Sequence, residues 1–122
     1  LYDDARDKTS ISQKDVRSYD VILLPNFCLP RLDDLSVDVF ANTHSLSEMS
    51  YPTVEEYVKQ ISRVTKKYFY HENSEVAQEI GYKFKETISS RFPVPPELFR
   101  LEYKTKAIWN EPRYHEFLYQ RM

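Results

Sequence analysis

A chain of 122 residues with 41% hydrophobic and 15% aromatic content is long enough for one domain that buries roughly two-thirds of its unfolded surface. Its 17 basic and 19 acidic residues are interspersed and leave a net charge of −2, so there is no basic stripe and nucleic acid is not an expected partner. No apolar run approaches the ~20 residues of a membrane span, and no leader pattern opens the chain, so no membrane is expected either.

The single Cys28 has no partner for an internal disulfide, which points to a reducing, cytoplasmic compartment. Flanked by Phe27 and Leu29, it reads as a small core residue. Gly81 is the one glycine, where average usage gives about eight, so the chain holds no glycine-rich nucleotide loop. Together with Leu1 in first place, this suggests a piece of something longer.

Residues 1–18 are mostly polar and read as a lead-in segment or a frayed surface helix, with Ile11 and Val16 among the few that can reach a core. From 19 to 122 the pattern is that of one α/β unit. Val21-Ile22-Leu23-Leu24 predicts a first strand, stopped by Pro25 and Asn26. A turn-rich connector, Leu29 to Ser36, leads to Val37–Ala41. This run is apolar but for Asp38, as in a strand buried on both faces.

That strand stops abruptly in Asn42-Thr43-His44-Ser45-Leu46-Ser47-Glu48. Open α/β sheets bind ligands at such carboxyl ends of buried strands, although a turn capping a short helix uses the same residue types. A helix over Thr53–Lys66 follows, with Thr53 and Glu56 as a capping box and Val54, Tyr57, Val58, Ile61 and Val64 on one stripe. Lys67 to Ser74 predicts a third strand. Strand, helix and strand then form a right-handed crossover that sets His71, Glu72 and Asn73 beside Asn42 and His44.

Ser74 to Ile80 reads as a short helix ended by Gly81, and Phe92 to Pro96 as a rigid extended connector. The tail predicts an antiparallel pair. In Leu98 to Tyr103, Phe99, Leu101 and Tyr103 share one face; Tyr114 to Met122 forms the second strand.

The Leu29-Pro30 to Ser36-Val37-Asp38-Val39 passage and the closing antiparallel pair resemble the C-terminal half of class I methyltransferases dependent on S-adenosylmethionine. Asn42 to Met49, Tyr68 to Asn73 and Tyr114 to Tyr119 are similar, more closely, to the sugar O-methyltransferase family. The resemblance covers residues 19–122 and implies a Rossmann-like methyltransferase sheet, parallel strands with a crossover helix and a closing antiparallel pair. It implies S-adenosylmethionine as cofactor of the complete protein and a saccharide or other small-molecule hydroxyl as acceptor. Asn26 and Phe27 stand where the family meets adenine, and Asn42 and Thr43 stand near the reactive methyl.

A base for the hydroxyl proton is expected at His44, with His71 second, because histidine titrates near neutrality. Glu48, Glu72 and Asn73 are the candidate acceptor contacts. His115 lies inside a strand and reads as structural. The spacing of His44, Glu48 and Glu72 matches no metal-ligand motif, so no metal is expected. The family's first strand, glycine-rich loop and ribose-binding carboxylate have no counterpart. The alternative is a non-enzymatic interaction or oligomerisation module with an aromatic surface, self-associating or pairing a missing N-terminal segment through Val21–Leu24.

Overall fold

The computed structural model describes residues 10–77, 79–80, 84–85 and 87–122. A short helix, α1 (Gln13–Arg17), opens the described chain. Ser12 caps it, and Asp15 reaches back to the Ser12 N–H, so two otherwise orphaned donors are satisfied reciprocally. Ile11, just ahead, pairs with Leu32 and is fully buried against Cys28, with Val16, Leu24 and Leu32 around them. Cys28 is thus a core residue, as its flanks suggest. The expected lead-in is anchored from Ile11 onward, and residues 1–9 lie outside the described ones.

Val21–Leu24 forms no strand. The segment has no ladder partner among the described residues, and Val21 and Leu23 are 79% and 84% exposed. Apolar β-branched residues favour an extended chain, but a strand exists only where a neighbour takes its backbone groups. A 3₁₀ turn over Asn26–Arg31 follows.

The main sheet contains β1 (Val37–Thr43), β2 (Thr65–Ser74), β5 (Phe99–Lys106) and β6 (Tyr114–Arg121) in the order β1-β2-β6-β5. β1 and β2 are parallel, whereas β6 is antiparallel to both β2 and β5. The expected parallel pair and closing antiparallel pair are both present. The expected place of Val37–Ala41 in the interior of the sheet is not, because β1 is an edge strand and is buried on neither face throughout. Asp38 explains part of this. It sits where the register slips between Val37 and Val39, and it reaches Lys67 at 3.0 Å in an exposed pair.

The crossover is α2 (Tyr51–Val64), packed on β2 through buried Val54, Val58, Ile61 and Val64. Its N-cap is Ser50 rather than Thr53. Pro52 already lies within the first turn, so the Thr53–Glu56 capping box does not form and Thr53 bonds the Ser50 hydroxyl instead. Phe69, Phe92, Phe99 and Leu46 complete this core.

The segment after β2 corrects a further expectation. In place of a helix over Ser74–Ile80, Ser74 ends β2, and β3 (Glu79–Ile80) pairs with β4 (Phe84–Lys85). Gly81 lies outside the described residues. Phe92 to Pro95 is in neither helix nor strand, but it is not extended throughout, because the Val94 amide donates to the Phe92 carbonyl at 2.8 Å and makes a γ-turn around Pro93. In β5, an edge strand, only Phe99 of the expected face is buried, while Leu101 and Tyr103 are exposed, and a bulge between those two shifts the register.

Candidate functional site

The site begins at the carboxyl ends of β1 and β2, where Thr43 lies opposite Glu72. Period two sends neighbours on β2 to opposite faces. Phe69, His71 and Asn73 turn toward α2 and are fully buried, while Tyr70 and Glu72 turn to the other side. His71 and Glu72 therefore cannot share one rim.

His44 follows directly after β1 with a φ of 63°. That left-handed backbone costs a residue with a Cβ about 1–2 kcal/mol and is held by neighbouring contacts. The His44 amide donates to the Glu72 carbonyl at 2.8 Å. Asn73, buried behind, accepts from the Ser47 amide and donates to Asn42, which in turn donates to Ser45. These bonds close the loop that swings the His44 ring over the strand ends.

The ring itself has three neighbours. His44 Nε2 lies 2.8 Å from Glu72 Oε1. Asn110 Nδ2, from the β5–β6 turn, is 2.6 Å from Glu72 Oε1 and 2.6 Å from His44 Nε2. Tyr114 stacks beneath the imidazole, with ring centroids 4.3 Å apart and planes 14° from parallel. A carboxylate only accepts hydrogen bonds, so the Glu72 contact assigns the proton to Nε2, and the Asn110 amide, itself a donor, then bonds Glu72 and only packs against Nε2. Nδ1 then carries the free lone pair, with no hydrogen-bond partner among the described residues.

The side chains of His44 and Glu72 are 41% and 16% exposed. Burial pushes the Glu72 carboxyl up, but hydrogen bonds from His44, Asn110 and Tyr70 outweigh it and hold Glu72 below the usual carboxylate range. Glu72 is therefore an anion at neutral pH, suited to steady a histidine that gains charge. Burial, then the charges of Glu116 and Glu72, push the nearby Tyr70 phenol to about 12.

The other predicted residues divide. His71 is enclosed by Phe69, Phe92, Phe117 and Tyr119, and burial lowers its pKa to about 3. It lies in the core and does not meet His44. Asn73 and Asn42 serve the loop, Thr43 is exposed at the strand end, and Glu48 is exposed with no contact to the pair.

Asn26 and Phe27 line a separate hollow of about 150 Å³ with Leu29, Pro30 and Tyr57. Asn26 donates to the Tyr57 hydroxyl at 2.8 Å, leaving its carbonyl oxygen to accept. Glu56 and Gln60 complete the lining, so the hollow has apolar walls and a polar, partly charged rim. For the ribose and carboxypropyl parts of S-adenosylmethionine, the sequence offers no glycine-rich turn.

Among the described residues, no group of three or more His, Cys, Asp or Glu side chains is gathered to hold a metal ion. Nor does any described helix have the length and apolarity to cross a membrane. Asn110 and Tyr114 are the members of the cluster that the sequence reading did not assign to the site. The signal was the hairpin itself, whose return brings Tyr114 opposite Ser74 at the end of β2.

No protein-family model matches the chain, and no curated protein matches it in sequence. Among solved structures, the chain is similar to the PH0226 protein from Pyrococcus horikoshii OT3, with a TM-score of 0.63 and 11% identity. The likeness covers 88% of this chain, which spans 62% of that structure's length. At this identity the comparison shows a shared fold, a mixed α/β sheet with one parallel pair and antiparallel closing strands, compatible with a Rossmann-like architecture.

Proposed function

We propose that the chain is the acceptor-side part of an S-adenosylmethionine-dependent O-methyltransferase with His44 as the general base, acting on a sugar-type hydroxyl. The observation that carries this reading is the His44–Glu72 contact of 2.8 Å at the carboxyl ends of the parallel strands. The methyltransferase-like sheet order supports it. When bound, the cofactor supplies an electrophilic methyl group with a thioether as leaving group, and its adenine would lie against Asn26 and Phe27. Thr43, exposed at the end of β1, and Asn42 stand nearest to where the methyl is expected.

His44 takes the acceptor's hydroxyl proton at Nδ1 as the oxygen becomes nucleophilic. Glu72 holds the Nε2 proton and stabilises the imidazolium, while Asn110 holds the Glu72 carboxylate and Tyr114 fixes the ring plane. A positioned base of this kind contributes ~10²–10⁴-fold, and orientation of the acceptor contributes more.

The test is transfer of labelled methyl to saccharides by the complete gene product that carries this chain. His44→Ala should lower turnover by ~10²-fold or more with cofactor affinity little changed, and Glu72→Gln should fall between it and the parent. An unchanged turnover number for His44→Ala would eliminate the base.

A second reading rests on Val21 and Leu23, exposed on a segment with no ladder partner among the described residues. There the chain pairs a strand of a partner or of a second copy through Val21–Leu24. Concentration-dependent light scattering that Leu23→Lys abolishes would favour it.

A further inference from the structure

The β5–β6 turn carries a feature that the acid–base cluster leaves unused. Trp109 is 95% exposed and Ile108 77% exposed. Large apolar side chains this bare, side by side, call for a reason. The turn is also well held. The Ala107 amide donates to Tyr114 at 3.0 Å, the Tyr114 amide donates to Glu111 at 2.9 Å, and Ala107 is buried.

Asn110, one residue after Trp109, touches both His44 and Glu72 at 2.6 Å. The indole is therefore tethered to the strand-end cluster by one Cα–Cα step of about 3.8 Å. A rigid turn with one residue in the cluster and the next two apolar groups in water is built as a wall.

We propose that Trp109 is the specificity-determining residue for the acceptor, its indole face receiving the apolar face of a pyranose ring whose hydroxyl lies at His44. This rests on the methyl-transfer reading for what happens to the hydroxyl, but the binding stands apart from it. The axial C–H groups of one pyranose face present positively polarised hydrogens, and the indole face is negative. The hydroxyls around the ring edge meet the polar groups of Glu72 and Asn110, so an apolar wall and convergent polar groups act on one ligand. Ile108 extends the apolar wall without adding a second ring.

Trp109 is the sole tryptophan of the chain, so its emission reports contact directly. The chain is titrated with methyl β-glucopyranoside, methyl α-mannopyranoside and methyl α-rhamnopyranoside, with open-chain sorbitol as control. At least one pyranoside should change the emission saturably, and sorbitol should not. By saturation-transfer NMR, Trp109→Ala should weaken that pyranoside roughly tenfold, the effect of ~1.4 kcal/mol, while Trp109→Phe keeps most of the binding.

Equal responses to sorbitol, no response to any of the three pyranosides, or unchanged binding by Trp109→Ala would overturn the proposal. So would binding of phenol without binding of a pyranoside, and so would emission that shifts only with protein concentration, which would mark a protein contact. Two readouts separate the readings: the saturable emission change of the parent reports the wall, and methyl transfer by His44→Ala reports the base. If pyranosides stack on Trp109 but His44→Ala transfers methyl normally, the base assignment falls and the wall stands. If His44 is essential but Trp109 senses no pyranoside, the reverse holds.

Discussion

His71 lies face to face with Phe117, ring centroids 4.6 Å apart and planes 20° from parallel, in the middle of the aromatic core. Neither of its ring nitrogens has a hydrogen-bond partner among the described residues. A charged imidazole cannot be accommodated there, and burial, opposed only weakly by Glu75, sets the folded pKa near 3 against 6.5 in the open chain. The sign follows from which state binds protons. Below pH 6.5 the unfolded chain takes up a proton that the folded chain refuses, so stability is lost as pH falls from 6.5 toward 3.

Above the carboxylate range, between about pH 6.5 and 4.5, this loss should reach roughly 2–3 kcal/mol. Thermal melts across that window should show it for the parent, and His71→Phe should flatten the profile. A parent whose melting temperature is level from 6.5 to 4.5 would show that His71 finds a way to charge.

The buried stripe of α2 sets a second expectation. Ile61 is fully buried, while the Lys59 side chain is 73% exposed and only 3.6 Å from Glu56 in a surface pair. Ile61→Asp or Val58→Asp places an unpaired carboxylate in the core, at several kcal/mol out of a total of ~5–15, and should unfold the domain. Lys59→Asp should be nearly silent. Circular dichroism melts of the variants provide the comparison, and equal melting temperatures would mean that the packed face is misassigned.

Arg63 supports a third. Its guanidinium donates to the carbonyls of Leu32 at 2.6 Å and of Leu29 and Pro30 at 3.2 Å, while Nε donates to Gln60. One planar fork thus ties the 3₁₀ turn to α2, which an ammonium cannot reproduce. Both Arg63→Ala and Arg63→Lys should lower stability by about 1–3 kcal/mol. The Cys28 and Leu32 amides should then exchange faster. If Arg63→Lys matches the parent in both measurements, the fork geometry is irrelevant.

A fourth concerns cofactor affinity. The hollow at Asn26 and Phe27 offers about 150 Å³. With no glycine-rich turn to hold the remaining parts, the chain by itself should bind S-adenosylmethionine weakly or not at all, because the contacts left do not offset the entropy of association. Titration calorimetry decides, and micromolar affinity in the isolated chain would overturn the expectation.

Much of this architecture is legible in local pattern. The stripe from Val54 to Val64 announces α2 because helix packing is written every three to four residues. The Lys67–Ser74 and Tyr114–Met122 strands are equally plain. Val21–Leu24 deceives for a physical reason, since its composition suits a strand but pairing is a property of two segments. The edge position of β1 is hidden likewise, because no residue in Val37–Thr43 states how many neighbours it has.

At the site, His44 and Glu72 were visible as strand-end residues, and the contact between them follows from parallel register. His71 could have been separated from Glu72 on period alone, since adjacent strand residues point apart. Asn110 was out of reach, because its place depends on the length and closure of a hairpin far along the chain.

The central place of β2 also orders the birth of the fold. β5 and β6 meet across a single turn, from Lys106 opposite His115 outward to Phe99 opposite Arg121, so that hairpin can close locally and early. β2 has no such neighbour on its β6 side until the last strand of the chain arrives. During synthesis, Phe69 and His71 therefore wait without Phe117 and Tyr119 over them, beside a row of unpaired amides. A nascent chain halted before Tyr114 exposes that aromatic edge, the kind of surface that chaperones hold and that aggregates when they do not.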